Sequence, residues 1–210
     1  MRRIILVHGS CHGAWCWYKV VAMLRTQGYA AAAIDLAACG ADPRRLPQDV
    51  SSFDEYTRPL MDLVAAVPDG EKVVLVGHMF GGLSLASVMD AFPEKVAAAV
   101  FLSGMMPDTT HAPSYIDLTL ASMMIRPTSL FYQELSKKPA FSKEGYGSVD
   151  KIYIICEDDA AIDEDFQQWM IENNPVKEVM KIRGADHMAM LSKPKELCEC
   201  IKSIVKKYAN

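Results

Sequence analysis

The chain has 210 residues, of which 50% are hydrophobic and 23% are charged, a balance typical of a globular protein with one sizeable core. Its formal net charge of −4, with no run rich in Lys or Arg, argues against nucleic acid or an anionic membrane as the main partner. We therefore expect a single domain over residues 1–210 that binds a small molecule, and the sequence leaves open whether the chain forms a homodimer.

The amino-terminal residues contain a short apolar run, which we expect to be the first strand of the fold and not part of an export signal. The run covers only Ile4–Val7, too short for the apolar part of a signal peptide, and no stretch approaches the roughly 20 apolar residues of a membrane span. The cysteines lack the paired spacing of a zinc site, so we expect free thiols in the cytosol, with no metal and no cofactor. They are Cys11, Cys16, Cys39, Cys156, Cys198 and Cys200.

Short apolar runs alternate with longer amphipathic segments along the chain. Because continuous apolar runs are typical of strands buried on both faces, the alternation predicts an α/β fold with a mainly parallel sheet flanked by helices. The predicted strands are Arg3–Val7, Ala30–Asp35, Lys72–Val76, Ala97–Ser103, Lys151–Cys156 and Glu178–Arg183. The predicted helices are Trp15–Thr26, Phe53–Val67, Gly81–Ala91, Asp163–Asn173 and Pro194–Tyr208, with Pro194 in the first turn of the last one.

The first predicted strand runs into a loop of small residues that begins His8-Gly9-Ser10. Glycine and small side chains let backbone N–H groups approach a developing negative charge, so the N–H of Ser10 is a candidate oxyanion donor. We expect His12 and Trp15 to shape the floor of an adjoining pocket. By themselves, these residues also fit a glycine turn after a core histidine.

The third predicted strand runs into the stretch GHMFGG, residues 77–82. A glycine-flanked turn between a strand and a helix is typical of the elbow at which a hydrolase presents a serine nucleophile. The central position holds Met79, whose thioether has no proton to lose and cannot form an acyl-enzyme. The N–H of Phe80 is the second candidate oxyanion donor, and we expect the His78 side chain to point away from the pocket. Without a serine, the stretch also fits a plain strand–turn–helix junction.

The segment from Met105 to Gly147 is rich in Pro, Met, Ser and Thr and shows no convincing strand. An insertion after the fourth strand of such a sheet lies over the carboxyl ends of the strands, where ligands bind, so we interpret residues 105–147 as a lid. A surface excursion with a short helix near Leu118–Ile125 explains the composition equally well.

Two ionisable positions follow the last two predicted strands. Asp159 lies in CEDD after the fifth strand, and His187 lies in GADHM after the sixth. The order of elbow, acid and histidine is that of a hydrolase triad in which His187 is the general base and Asp159 orients it. An Asp-His pair alone is usually a turn, but three strand-end motifs in this order rarely coincide by chance.

These motifs and several further stretches resemble the plant methylesterase and hydroxynitrile lyase branch of the α/β-hydrolase family. The resemblance implies an α/β-hydrolase fold and places Met79, Asp159 and His187 at the serine, aspartate and histidine positions of the triad. Ser10 and Phe80 fall at the oxyanion positions. The stretches are HGSCHGAWCWYK, IDLAACGADPRR, SFDEYTRPLMDL, EKVVLVGH-x-FGG, FPEKVAAAVFLSGMMPD, KEGYGSVDKIYI, FQQWMIEN and GADHMAML.

Two substrate-binding positions distinguish the two activities of this branch. The hydroxynitrile lyases that resemble this chain carry a threonine after the first-strand histidine and a lysine after the triad histidine. Here these positions are Gly9 and Met188. The resemblance therefore implies the esterase side, whose members hydrolyse methyl esters of small plant acids such as salicylate, jasmonate or indole-acetate.

Two departures from the family pattern bear on that activity. Met79 replaces the nucleophile, and only 80 positions separate it from Asp159. The short spacing between Met79 and Asp159 implies a truncated cap that lacks roughly 50 residues. We expect a methylesterase-like protein that is impaired or inactive as a serine esterase and that binds a small ester or carbonyl compound. Two alternatives stay open: acid–base chemistry by His187 and Asp159 without a covalent step, as in a lyase or cyclase, or a small-ligand binding protein.

Overall fold

The computed structural model describes residues 3–115 and 131–209. In this part of the chain, six parallel strands form one sheet in the order β2-β1-β3-β4-β5-β6. This confirms the predicted fold class, and each strand begins and ends within two residues of its prediction. The strands are β1 Arg3–Val7, β2 Ala30–Ile34, β3 Val73–His78, β4 Val96–Leu102, β5 Lys151–Cys156 and β6 Glu178–Ile182.

Local sequence signals explain where several helices begin. The side chain of Ser52 accepts a hydrogen bond at the start of α2, the side chain of Asp163 does the same for α5, and Pro194 begins α7. None of the described helices is long and apolar enough to cross a membrane. The helices are α1 Tyr18–Thr26, α2 Phe53–Ala65, α3 Gly81–Ala91, α4 Tyr132–Leu135, α5 Glu164–Glu172, α6 Ala189–Ser192 and α7 Pro194–Tyr208, with 3₁₀ turns at Ala14–Trp17, Pro93–Lys95 and Tyr146–Ser148.

Both faces of the sheet are covered, as its apolar strands require. Along β1, Ile5 and Val7 pack into one core with residues of α2, α3 and α5. Ile4 and Leu6 face the other way and pack with residues of α1 and α7. This alternation is the two-residue period of a strand, so the helices on both sides of the sheet together bury all of β1 except Arg3.

The topology creates a crevice at the carboxyl ends of β1 and β3. From β1 the chain passes to the edge strand β2, and it returns to β3 on the opposite side of β1. The loops that follow β1 and β3 therefore diverge, and ligands of open α/β sheets bind at such a switch point. The loops after β4, β5 and β6 reach the same edge of the sheet because all the strands are parallel.

The segment 105–147 is only partly described. Met105, Met106 and Phe131 are buried, and Phe131 packs against Phe53 and other aromatic side chains of the core. The helix predicted near Leu118–Ile125 lies outside the described residues. The lid interpretation of this segment therefore stays a prediction.

Candidate active site

The turn after β3 has the backbone of a nucleophile elbow with Met79 at its apex. Met79 has a φ of 49°, in the left-handed region that non-glycine residues rarely adopt. A Cβ on Gly81 would lie 2.6 Å from the carbonyl oxygen of His8, and one on Gly82 would overlap the carbonyl of Met105. The Met105 N–H donates to the Met79 carbonyl at 2.9 Å, which ties the apex to the loop after β4. Close backbone contacts therefore require these glycines, whatever residue occupies the apex.

The loop after β1 lies directly against this apex. A Cβ on Gly9 would come within 2.9 Å of the Met79 Cβ, so glycine is needed for the contact. The neighbouring backbone N–H groups, those of Ser10 and Phe80, donate to no acceptor within residues 3–115 and 131–209. Unpaired N–H groups beside the apex are the arrangement that stabilises an oxyanion. The structure thus places both predicted donors next to the contact between Gly9 and Met79.

His187 and Asp159 form the predicted pair. Nδ1 of His187 and Oδ2 of Asp159 lie 2.8 Å apart, so Nδ1 donates to the carboxylate and Nε2 is free to accept a proton. Oδ1 of Asp159 accepts hydrogen bonds from the N–H groups of Ala161 and Ile162 at 2.7 and 2.8 Å. Burial alone would raise the pKa of Asp159, but hydrogen bonds from His187 and Ser103 bring it below its ordinary value. The carboxylate is therefore charged at neutral pH.

Ser103 is a further member of this arrangement that sequence reasoning missed. It follows β4 directly, is fully buried, and has a φ of 39°. Its hydroxyl donates to Oδ2 of Asp159 at 2.5 Å, so one carboxylate oxygen accepts from both Ser103 and His187. The available signal was its position at the same sheet edge as the other motifs. A serine at a strand end is too common to be selected on that basis.

His78 connects the elbow strand to the same pair. Its Nε2 donates to the backbone carbonyl of His187 at 2.8 Å, and the centroids of the two rings lie 4.5 Å apart. Burial, followed by the nearby charge of His187, lowers the pKa of His78 to about 3, so the ring is neutral at neutral pH. Among the described residues its Nδ1 has no partner. The side chain is buried against the catalytic histidine position, a contact that sequence reasoning also missed.

The remaining predicted site residues have mainly structural contacts. Nδ1 of His12 donates to the Ser10 carbonyl at 2.8 Å and so braces the oxyanion loop. Trp15 is 57% exposed, and its ring therefore lies at the surface. Met188 is partly buried against the core beside α7, and its N–H donates to Asp186 at 2.9 Å. A substrate contact by His12 or Met188 stays a prediction.

Known proteins match this chain over nearly its whole length. Residues 4–150 match the alpha/beta hydrolase family. Methylesterase 3 of Arabidopsis thaliana is 42% identical over 256 aligned positions, which cover 99% of this chain and 97% of that protein. Polyneuridine aldehyde esterase of Rauvolfia serpentina is 38% identical over 97% of this chain and 95% of its own length.

Solved structures agree with these matches. A crystal structure of polyneuridine aldehyde esterase has a TM-score of 0.89 at 38% identity and covers 97% of this chain and 99% of that chain. Tomato methylketone synthase I, in a histidine-to-alanine variant complexed with beta-ketoheptanoate, has a TM-score of 0.89 at 32% identity and covers 99% of this chain and 98% of that chain.

The alignment with methylesterase 3 also shows by how many residues this chain is shorter than that relative. Its 256 positions exceed the 210 residues here, so at least 46 positions of the relative have no counterpart in this chain. The difference agrees in size with the shortening inferred from the spacing between Met79 and Asp159. The resemblance inferred from the motifs is confirmed: the chain belongs to the alpha/beta hydrolase family and is a methylesterase-like member of its plant methylesterase branch.

Proposed function

We propose that this protein does not hydrolyse esters through a covalent acyl-enzyme, although it keeps the histidine, the aspartate and the oxyanion positions of an esterase. The observation that carries the proposal is Met79 at the elbow apex, with its left-handed backbone and its Cβ against Gly9. A thioether has no proton to transfer to His187 and forms no hydrolysable acyl bond. Methionine also brings three heavy atoms beyond Cβ to a place where serine has one, which crowds a substrate carbonyl.

The expected loss of activity is large. Removing a triad serine costs on the order of 10⁶ in turnover, about 8 kcal/mol of transition-state stabilisation. The oxyanion donors and the binding contacts that remain accelerate the reaction by about 10³ over its rate in water. Cys156, near Asp159, offers no substitute nucleophile, because burial raises the pKa of its thiol to about 12.

A covalent trapping experiment tests this proposal. The native protein and the Met79→Ser variant are incubated with phenylmethylsulfonyl fluoride, and their intact masses are measured. We expect no adduct on the native protein and one sulfonyl adduct on Met79→Ser. The matched control combines Met79→Ser with His187→Ala and should react far more slowly, because its serine lacks a base. A stoichiometric adduct on the native protein would show another nucleophile and contradict the proposal.

A second function is favoured by the intact His187–Asp159 pair together with the ligands of one relative. Structures of tomato methylketone synthase I hold beta-ketoheptanoate and 2-tridecanone, a β-keto acid and a methyl ketone. A β-keto acid becomes a methyl ketone when its carboxylate leaves as CO₂ and the resulting enolate carbon takes up one proton, a reaction without nucleophile or oxidant. For this chain, we propose that the N–H groups of Ser10 and Phe80 hold the enolate oxygen and that His187 delivers the proton.

Product formation from beta-ketoheptanoate tests the second function. Loss of CO₂ gives 2-hexanone, which gas chromatography quantifies above the uncatalysed background. We expect the native protein to form 2-hexanone above the background rate. This rate should fall by about 10² or more in His187→Ala and be retained in Met79→Ala, since methionine has no part in the chemistry. A native rate equal to the buffer blank would rule out this function and leave the first proposal intact.

The ligand class that we propose is therefore a small ester or carbonyl compound, and the compartment that we propose is the cytosol. All six cysteines are free thiols, which fits a reducing compartment. Protein isolated from its native cells without reductant and then denatured should be alkylated at every cysteine. Disulfide-linked peptides in its digest would contradict the assignment to the cytosol.

A further inference from the structure

One cavity lies away from the candidate active site. Its volume is about 320 Å³, and it is bordered by the loop after β4, the 3₁₀ turn Tyr146–Ser148 and the end of α5. Lys151 in its wall is the first residue of β5, whereas Asp159 comes after the last residue of that strand. At about 3.3 Å per residue, the two positions lie roughly 16 Å or more apart. None of the candidate catalytic residues lines this cavity.

Lys151 brings a buried positive charge to the cavity. The residue is only 2% exposed, and its Nζ donates to the Tyr146 carbonyl at 3.4 Å and lies 4.6 Å from the centroid of the Tyr146 ring. The neighbouring carboxylate, Asp150, pairs with Lys177 instead at 3.5 Å. In the described part of the chain, no carboxylate lies within ion-pair distance of Lys151, so burial lowers the pKa of its ammonium group and the charge of Asp150 offsets this only in part. A buried ammonium without a close counter-charge is costly, and a bound anion would offset that cost.

Tyr146 brings an unused donor to the same place. Its hydroxyl is fully buried and has no hydrogen-bond partner among the described residues. Burial, followed by the charge of Asp108, raises the pKa of Tyr146 well above its ordinary value, so the hydroxyl keeps its proton at neutral pH. Asp108 and Tyr146 both line the cavity, and the effect of the Asp108 charge on the Tyr146 pKa shows that the two groups interact. Buried hydroxyl groups normally have a partner, and this one has none from residues 3–115 and 131–209.

We propose that this cavity binds a small monocarboxylate through the Lys151 ammonium and the Tyr146 hydroxyl. A carboxylate has one oxygen for each of the two donors, and the cavity volume lies at the lower end of those of ligand sites. Among the described residues of the wall, Lys143 and Lys151 outnumber the one acidic residue, Asp108, so a negative ligand is favoured. A doubly charged anion such as phosphate is disfavoured because its second charge would face Asp108.

Nuclear magnetic resonance of the ¹⁵N-labelled protein locates the binding. Benzoate is the probe, benzamide is the matched compound without the charge, and inorganic phosphate tests whether any anion suffices. We expect benzoate to shift the backbone amide signals of Gly147 and Asn174, which line the cavity, and to leave those of Ser10 and Phe80 in place. Benzamide should bind about tenfold more weakly or worse, since charge-assisted hydrogen bonds are the stronger ones. Phosphate that binds as tightly as benzoate would overturn the carboxylate assignment.

Three variants test the two donors. Lys151→Met removes the charge, Tyr146→Phe removes only the hydroxyl, and Lys206→Met is the control because Lys206 is an exposed lysine of α7. Benzoate affinity should fall about tenfold or more in Lys151→Met, fall less in Tyr146→Phe and stay native in the control.

Thermal unfolding separates lost binding from lost folding. Lys151→Met should unfold at or above the native midpoint, because it removes a buried charge that lacks a counter-charge. Added benzoate should raise the midpoint of the native protein and leave that of the variant unchanged. Native affinity in Lys151→Met, or benzoate shifts confined to the signals of Ser10 and Phe80, would overturn the proposal.

Discussion

The elbow after β3 and the pair of His187 and Asp159 after β6 and β5 keep different parts of the predicted triad. The elbow keeps its backbone without its reactive side chain, because its glycines pack against the carbonyl groups of His8 and Met105. The pair keeps its side chains, since His187 and Ser103 both donate to one oxygen of Asp159. Contacts with the core therefore hold the elbow in shape, so its backbone conformation survives the presence of methionine at the nucleophile position.

Adding a side chain to the elbow should disrupt it more than replacing the apex residue does. In Gly82→Ala the new Cβ would overlap the Met105 carbonyl, and we expect the free energy of unfolding to fall by about 3–4 kcal/mol. The matched control is Gly28→Ala, where φ is 84° but nothing lies within 4 Å of the new Cβ. Backbone strain alone should cost that control about 1 kcal/mol. Equal losses in chemical denaturation would mean that close packing does not hold the elbow.

His78 links the two regions, and its titration measures that link. The pKa of His78 falls from its ordinary 6.5 to about 3 on folding, so the unfolded chain takes up a proton there at a higher pH than the folded one does. Keeping His78 neutral therefore costs the folded state nothing above pH 6.5, and the free energy of unfolding falls as the pH drops from 6.5 towards 3.

The variant His78→Gln keeps a donor near the Nε2 position and does not titrate. Below pH 6.5, the native free energy of unfolding should fall more steeply than that of the variant, by up to about 1.4 kcal/mol per pH unit. Denaturant titrations from neutral pH down to the acid limit of stability measure both slopes. Identical slopes for native and His78→Gln would refute the buried, neutral state of His78.

The smallest of these effects should come from Ser103. In Ser103→Ala, Asp159 loses one buried hydrogen bond, and we expect the free energy of unfolding to fall by about 1–2 kcal/mol. The control is Ser87→Ala in α3, whose hydroxyl donates to the Leu83 carbonyl at 3.3 Å and whose removal should cost about 0.5 kcal/mol or less. If chemical denaturation gives the two variants the same stability, the carboxylate of Asp159 does not depend on Ser103.

The positions of the six strands and the chain order of the triad motifs could be predicted because each rests on short stretches of sequence. Apolar runs reveal the buried strands, and parallel strands bring the residues after them to one edge. The contacts of Ser103 and His78 could not be predicted this way, because their partners lie 56 and 109 residues away in the sequence. The role of Lys151 was missed for a related reason. It begins an apolar run, and only the packed turn beside it reveals that its ammonium group is buried.

We propose that the elbow, the oxyanion donors and the acid–base pair form a competent catalytic centre that lacks only its nucleophile. The most direct test of this claim is the rate of p-nitrophenyl acetate hydrolysis by the native protein and by Met79→Ser, since so small an activated ester needs little from a cap. We predict that Met79→Ser exceeds the native rate by about 10² or more and that adding His187→Ala abolishes the gain. A folded Met79→Ser protein that hydrolyses the ester no faster than the native protein would contradict the claim.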